Sequence, residues 1–298
     1  MESRSVPPVR RGSRISCRVG SVADELRVRV ADQPARASEM EVSELVAVLN
    51  RAGLLESANL VAVLLKGADA GRVTTPARAD AARELLSRLA ADPHSDVAAA
   101  AMAVALARGR RRGRLRAGIE LSDLTSEAAT QLVHSVAAVL SSRCETDDEP
   151  FAKAAGELLA RHDPQQGLEC LEERLATALD EAGLIDQSLV HSLAAQGEAS
   201  LLAKVLARLA RVPALDAWEL LVGPAEGGMA LLLRLAGQPR AVAAALFVSM
   251  GPALGLIDPA EEIDRFDALT DAAVELERGR LQLPAAYRHI RQRIDRRG

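Results

Sequence analysis

From about Ser38 onward, the chain reads as a string of amphipathic helix patterns. Val42, Leu45, Val46 and Leu49 stand at i, i+3, i+4 and i+7, which is one face of an α-helix. Leu60, Val63 and Leu64 continue the pattern in a second helix, closed by Gly67 and Gly71. "TTPARADAARELLSRLAADP" opens with Thr75 as N-cap and Pro76 at the first helical position, and it stops at Pro93. "SDVAAAAMAVALARG" starts at Ser95 and ends at Gly109. Asp123 or Thr125 then caps a helix bearing Leu132, Val133, Val136, Val139 and Leu140. Further helices are predicted near 150–161, 165–182, 186–196, 198–211, 214–222, 226–236, 239–250, 259–278 and 284–296. The connections are short and carry Gly or Pro, so successive helices stack as antiparallel neighbours. The expected fold is all-α: irregular stacked helical hairpins, an α-solenoid or HEAT-like array without a strict repeat and without a sheet.

Three regions are expected. Residues 1–37 hold Pro, Gly, Ser and Arg with weak periodicity and read as a disordered basic arm, with room for a short helix around Val22 to Val30. Met40, which precedes the first clean pattern, is compatible with an alternative translation start. Residues 38–142 form an N-terminal helical lobe and 148–298 a C-terminal one. The polar stretch "SSRCETDDEP", 141–150, is the candidate hinge between them.

Composition sharpens the fold class. Only 2% of the 298 residues are aromatic, too few for the pleated faces of a β-sandwich or barrel, whereas Ala, Leu, Arg and Glu are good helix formers. Arginine outnumbers lysine 34 to three (Lys66, Lys153, Lys204), a bias of the kind a GC-rich coding sequence imposes. That weakens any inference from arginine alone. Charge is uneven: 1–117 sums to +7, 118–233 to −12 and 234–298 to +1. Cys17, Cys144 and Cys170 are odd in number, far apart and outside any CxxC, as in a reduced cytoplasmic protein. The N-terminus lacks an apolar signal region, and the longest uncharged run, 241–257, is interrupted by Ser, Gly and Pro. No membrane span is expected.

Candidate chemistry is sparse. His94, His134, His162, His191 and His289 are not spaced at i, i+3 or i+4 with one another or with a cysteine, as ligands aimed from one helix must be. No GxSxG, Walker loop or dinucleotide fingerprint occurs, and "GPAEGG" at 223–228 is punctuation between helices. Neither a metal, a cofactor nor an enzyme activity is expected. The one dense feature is "ARGRRRGRLRAG", 107–118, with Arg108, Arg110, Arg111, Arg112, Arg114 and Arg116. Six guanidiniums could neutralise several phosphates. Against that, no aromatic is interleaved for base stacking, and Gly109 and Gly113 interrupt the run. The reading preferred is a connection between helices, with its arginines solvated or docked on the chain's own acidic middle. At the C-terminus, Leu283, Tyr287, Ile290 and Ile294 form an apolar stripe, with Arg288, Arg291, Arg293, Arg296 and Arg297 mostly off it. Such a helix can lie on a membrane or a partner, but packing of the stripe on the domain is preferred. In the helix of 198–211, Leu201, Leu202, Val205, Leu206 and Leu209 share the buried face; Leu201 is expected nearest its edge, and Lys204, Arg208 and Arg211 lie opposite.

The segment from Gly167 to Pro239 resembles an all-helical alphaproteobacterial family, the domain of unknown function 2336. The features carrying the resemblance are Gly197-Glu198, the Leu201-Leu202 pair, "VLARLAR" at 205–211, Pro213 and "LAGQP" at 235–239, and it is strongest over 165–240. The family commonly has a Phe pair where Leu201-Leu202 stand, and a glycine where this chain has Arg211. The resemblance implies an all-helical fold and cytoplasmic placement, and brings no catalytic motif. The function expected is therefore a non-enzymatic cytoplasmic adaptor or regulatory protein acting through a protein partner. The alternatives are a non-sequence-specific nucleic-acid binder using Arg108 to Arg116, and an enzyme of unknown reaction.

Overall fold

A computed structural model describes residues 9–30, 41–53, 76–112, 120–144, 148–223, 225–255 and 258–295. Every regular element among them is helical. They are α1 (Val9–Arg29), α2 (Val42–Arg51), α3 (Pro76–Ala90), α4 (Ser95–Arg112), α5 (Ser126–Cys144), α6 (Asp148–Leu159), α7 (Leu168–Glu181) and α8 (Gln187–Ala195). There follow α9 (Ala199–Ala210), α10 (Ala214–Val222), α11 (Gly228–Leu235), α12 (Arg240–Leu254), α13 (Pro259–Ala268), α14 (Asp271–Gln282) and α15 (Ala285–Asp295). Two 3₁₀ turns, Leu121–Asp123 and Pro164–Gln166, precede α5 and α7. The all-α class therefore holds. The helix expected around Leu60 to Leu64, and Thr75 as a cap, lie outside the described residues.

The chain divides into two compact units, one of residues 1–68 with 106–171, the other of 69–105 with 172–298. This is not the expected division at 141–150. The helices on either side of that stretch, α5 and α6, pack together within the first unit, and the Ser141 hydroxyl donates to the Asp148 carboxylate across it.

The first unit also corrects the reading of residues 1–37 as a disordered arm. α1 packs on α2, α5 and α6, and Val19, Val22, Ala23, Leu26 and Val30 are buried in one core with Leu45, Leu49, Leu132, Val133, Val136, Leu140 and Phe151. These α1 positions fall at i, i+3, i+4, i+7 and i+11, a helical face diluted by the arginines between its members. At Gly20 a Cβ would stand 3.1 Å from a Val42 methyl, so the missing side chain lets α1 and α2 approach closely.

In the second unit, sequence neighbours pair (α8 with α9, α9 with α10, α10 with α11, α12 with α13), and α12 packs against α8, α11 against α14. The single helix expected over 259–278 is two, because Thr270 stops it. The Thr270 hydroxyl accepts from the Ala273 amide at 3.2 Å and caps α14. Among the described residues, Gly53 and Gly255 follow α2 and α12 in the left-handed conformation, and four more helices end in one way: Gly183, Gly197, Arg211 and Gly237 follow α7, α8, α9 and α11 in that conformation. The next amide in each case returns to a carbonyl one turn back, as in Glu198 to Leu193 at 2.9 Å and Val212 to Ala207 at 3.0 Å. Arg211, at φ +57°, is the one non-glycine of the four. Replacing it, Arg211→Gly, should stabilise the chain by up to about 1 kcal/mol, because the Cβ clash at left-handed φ disappears. A urea midpoint that falls instead would show that the arginine side chain more than offsets the strain.

α9 is buried on nearly every side. Leu201, Leu202, Ala203, Val205, Leu206 and Ala207 are all inside, and so is Lys204. The expectation that Leu201 sits near the edge and Lys204 opposite the buried face is thus overturned. Alanines at 199, 203, 207 and 210 line the second face and admit neighbouring helices there. Leu206→Ala should cost about 2–5 kcal/mol, the range for a buried leucine whose cavity does not collapse. An unshifted thermal transition would contradict this placement.

Candidate interaction surfaces

The arginine run begins as helix and not as loop. α4 continues through Gly109 to Arg112, so Arg108, Arg110, Arg111 and Arg112 ride its last two turns, while Arg114 and Arg116 lie outside the described residues. Arg111 is turned onto its own chain, its side chain 8% exposed. Its guanidinium donates to Asp123 Oδ1 at 2.5 Å and to the Ala107 carbonyl at 2.9 Å, and lies 3.8 Å from Glu120 Oε2. Asp123 is the hub of this cluster. It also accepts from the Glu120 amide at 2.7 Å and from the Leu168 amide, at the start of α7, at 2.8 Å. The capping duty expected for Asp123 or Thr125 is shared. Thr125 accepts from the Ala128 amide to open α5, and Asp123 serves α7.

The exposed members differ. Arg110 has its Nε 4.0 Å from Glu120, and one turn before it Leu106 is an exposed leucine on the same helix. Arg108 is half-buried. Arg111→Ser should cost about 1–3 kcal/mol, since it leaves Asp123 and Glu120 shielded without their cation, whereas Arg110→Ser should change stability by no more than about 1 kcal/mol. Equal urea midpoints for the two variants would contradict the assignment.

Two ion pairs are buried inside the second unit. Lys204 Nζ lies 3.7 Å from Glu172 Oε2, each side chain 2% exposed, and the Ser200 hydroxyl bridges them, donating to Glu172 at 2.5 Å and accepting from Lys204 at 3.2 Å. This binds α7 to α9. The second pair joins α15 to α10: Arg288 donates to both carboxylate oxygens of Asp216, at 2.7 and 2.6 Å. It reverses the expected orientation of α15. Arg288 is buried, and Leu283, Tyr287, Ile290 and Ile294 are exposed.

Both pairs were missed in the sequence reading. Lys204 carried a signal, because a helix with alanines opposite its leucines has no polar face for a lysine to occupy. Arg288 carried none, since its partner is 72 residues away.

The histidines are scattered. His162 Nε2 meets the Leu124 carbonyl at 3.1 Å, His134 and His191 are exposed, and the side chain of His289 lies outside the described set. His94 contacts Asp92 through its amide (2.9 Å) and Nδ1 (2.8 Å), and these hydrogen bonds hold the Asp92 carboxyl below its usual range. Among the described residues no three His, Cys, Asp or Glu are grouped to hold a metal ion, and no helix is long and apolar enough to cross a membrane. Cys170 is a free thiol.

Residues 70–282 match a family model described as an uncharacterised protein conserved in bacteria, DUF2336. The match ends with the last residue of α14. No curated protein and no solved structure matches the chain.

Proposed function

We propose, from the premise that this chain belongs to the DUF2336 family, that it is a non-enzymatic helical adaptor or regulatory protein of the cytoplasm that works by binding another protein. The supporting observation is the use made of the arginine run. Arg111 is held by carboxylates of the protein itself, and Arg110 stands exposed beside Leu106, an apolar anchor next to a cation. That pairing suits an acidic protein surface with an apolar pocket. A phosphate backbone has no use for the leucine, and loses the cation that Asp123 and Glu120 neutralise.

The test compares the full chain with the Leu106→Asp/Arg110→Glu variant. Cross-linking to a protein partner that is lost in the variant, with the melting temperature unchanged, supports the proposal. A salt-sensitive mobility shift of nucleic acid that the same variant abolishes would replace it by the nucleic-acid reading.

A further inference from the structure

Leu283, Tyr287, Ile290 and Ile294 recur every three or four residues and so share one side of α15 and the turn before it. In a helix packed on its own domain such a stripe turns inward. Here the four are between 44% and 59% exposed. The residue that points inward is Arg288, clamped by both oxygens of Asp216 and, through Nε, by the Leu283 carbonyl at 3.0 Å. A two-pronged guanidinium–carboxylate pair has a fixed geometry, so it sets the rotation of the helix about its axis. The clamp therefore holds the apolar stripe in water.

Charge and size narrow the occupant. Residues 283–298 contain five arginines and a single acid, Asp295, and even with Arg288 neutralised by Asp216 the segment stays basic. A helix of this length is about 16 Å long and 10 Å across. One face of it falls well short of the roughly 800 Å² per partner that a stable protein interface buries. A second copy of α15 would also bring arginines against arginines. An anionic bilayer surface asks for no matched shape, takes up aromatic and branched apolar side chains at headgroup depth, and attracts a segment of net positive charge.

We propose that α15 rests on the surface of membranes containing anionic lipids, with Tyr287, Ile290 and Ile294 inserted among the headgroups. The Arg288–Asp216 clamp presents them. This adds a lipid-facing surface to the protein-binding one on α4, and joins the two functions in one adaptor.

Flotation of the full chain tests it, with vesicles of phosphatidylcholine alone and of phosphatidylcholine mixed with phosphatidylglycerol. The chain should float with the mixed vesicles, and about tenfold less with the neutral ones or at high salt. The Ile290→Ser/Ile294→Ser variant should lose about tenfold of the binding to mixed vesicles at an unchanged melting temperature. The proposal fails if the wild-type chain does not float, if neutral vesicles bind it equally, or if the folded variant binds as the wild type does. It fails also if sedimentation velocity finds a dimer that the variant converts to monomer, since the stripe would then be an interface between copies.

Discussion

A chain lacking residues 1–37 should lose the cooperative unfolding of its first unit. The deletion removes all of α1 and with it Val19, Val22 and Leu26, each almost wholly withdrawn from water. Burying side chains of this kind contributes about 1.5–3 kcal/mol each, so the three account for roughly 5–9 kcal/mol. That is comparable to the entire stability of an ordinary domain, about 5–15 kcal/mol. The loss also exposes Leu45, Leu49, Leu132 and Val136, which share the same core. Hydrogen exchange should show protection collapsing in α2, α5 and α6 while α8 to α12 stay protected. A truncated chain with the melting curve and exchange pattern of the full one would mean that α1 contributes nothing to the core.

Lys204→Ala should cost about 3–5 kcal/mol, because it strands the Glu172 carboxylate where water does not reach. The comparison with Lys204→Met/Glu172→Leu separates that cause from simple loss of packing. A buried pair has already lost its hydration, and its mutual attraction offsets that loss only when both charges are present. The double variant, apolar at both positions, should therefore lie within about 1–2 kcal/mol of the wild-type chain, far above the single variant. Urea unfolding of the three chains measures it directly. A double variant as unstable as Lys204→Ala would assign the loss to side-chain shape and not to charge. Ser200, bonded to both partners, should then gain or lose its influence on stability together with them.

Most of the helices were legible because local signals suffice for them. The leucine spacing in α2 and the leucine and valine spacing in α5 named residues that are in fact buried, Pro76 opens α3 as the first turn of a helix permits, and Pro213 stands just before α10. Gly183, Gly197 and Gly237 announced helix ends because only glycine adopts the left-handed cap without strain. Where punctuation was weaker, the reading slipped. Thr270 divides a stretch without Gly or Pro, and Gly109 lies within α4 and does not end it. α1 was read only as room for a short helix around Val22 to Val30, since its apolar residues are few, and partners as distant in sequence as Phe151 are what make those residues count.

The candidate surfaces were legible only as lists of residues. The arginine run could be seen in the sequence, but nothing local says that Arg111 is drawn in against Asp123 and Glu120 while Arg110 meets Glu120 from an exposed position. The apolar stripe of α15 could be seen as well, and its direction came out reversed. Periodicity defines the two faces of a helix, and which face turns inward depends on what the rest of the chain offers it. For α9 the neighbours offered apolar walls on nearly every side, so even Lys204 went in, paired with Glu172. For α15 α10 offered Asp216, and a charge already out of water demands a cation more strongly than an isoleucine demands burial. The sequence by itself determined the helical class, most helix positions and the glycine caps, because these rest on interactions within a few residues. The tertiary structure alone decided which charges are paired and which apolar face is left in solvent, because those outcomes depend on partners brought together from distant parts of the chain.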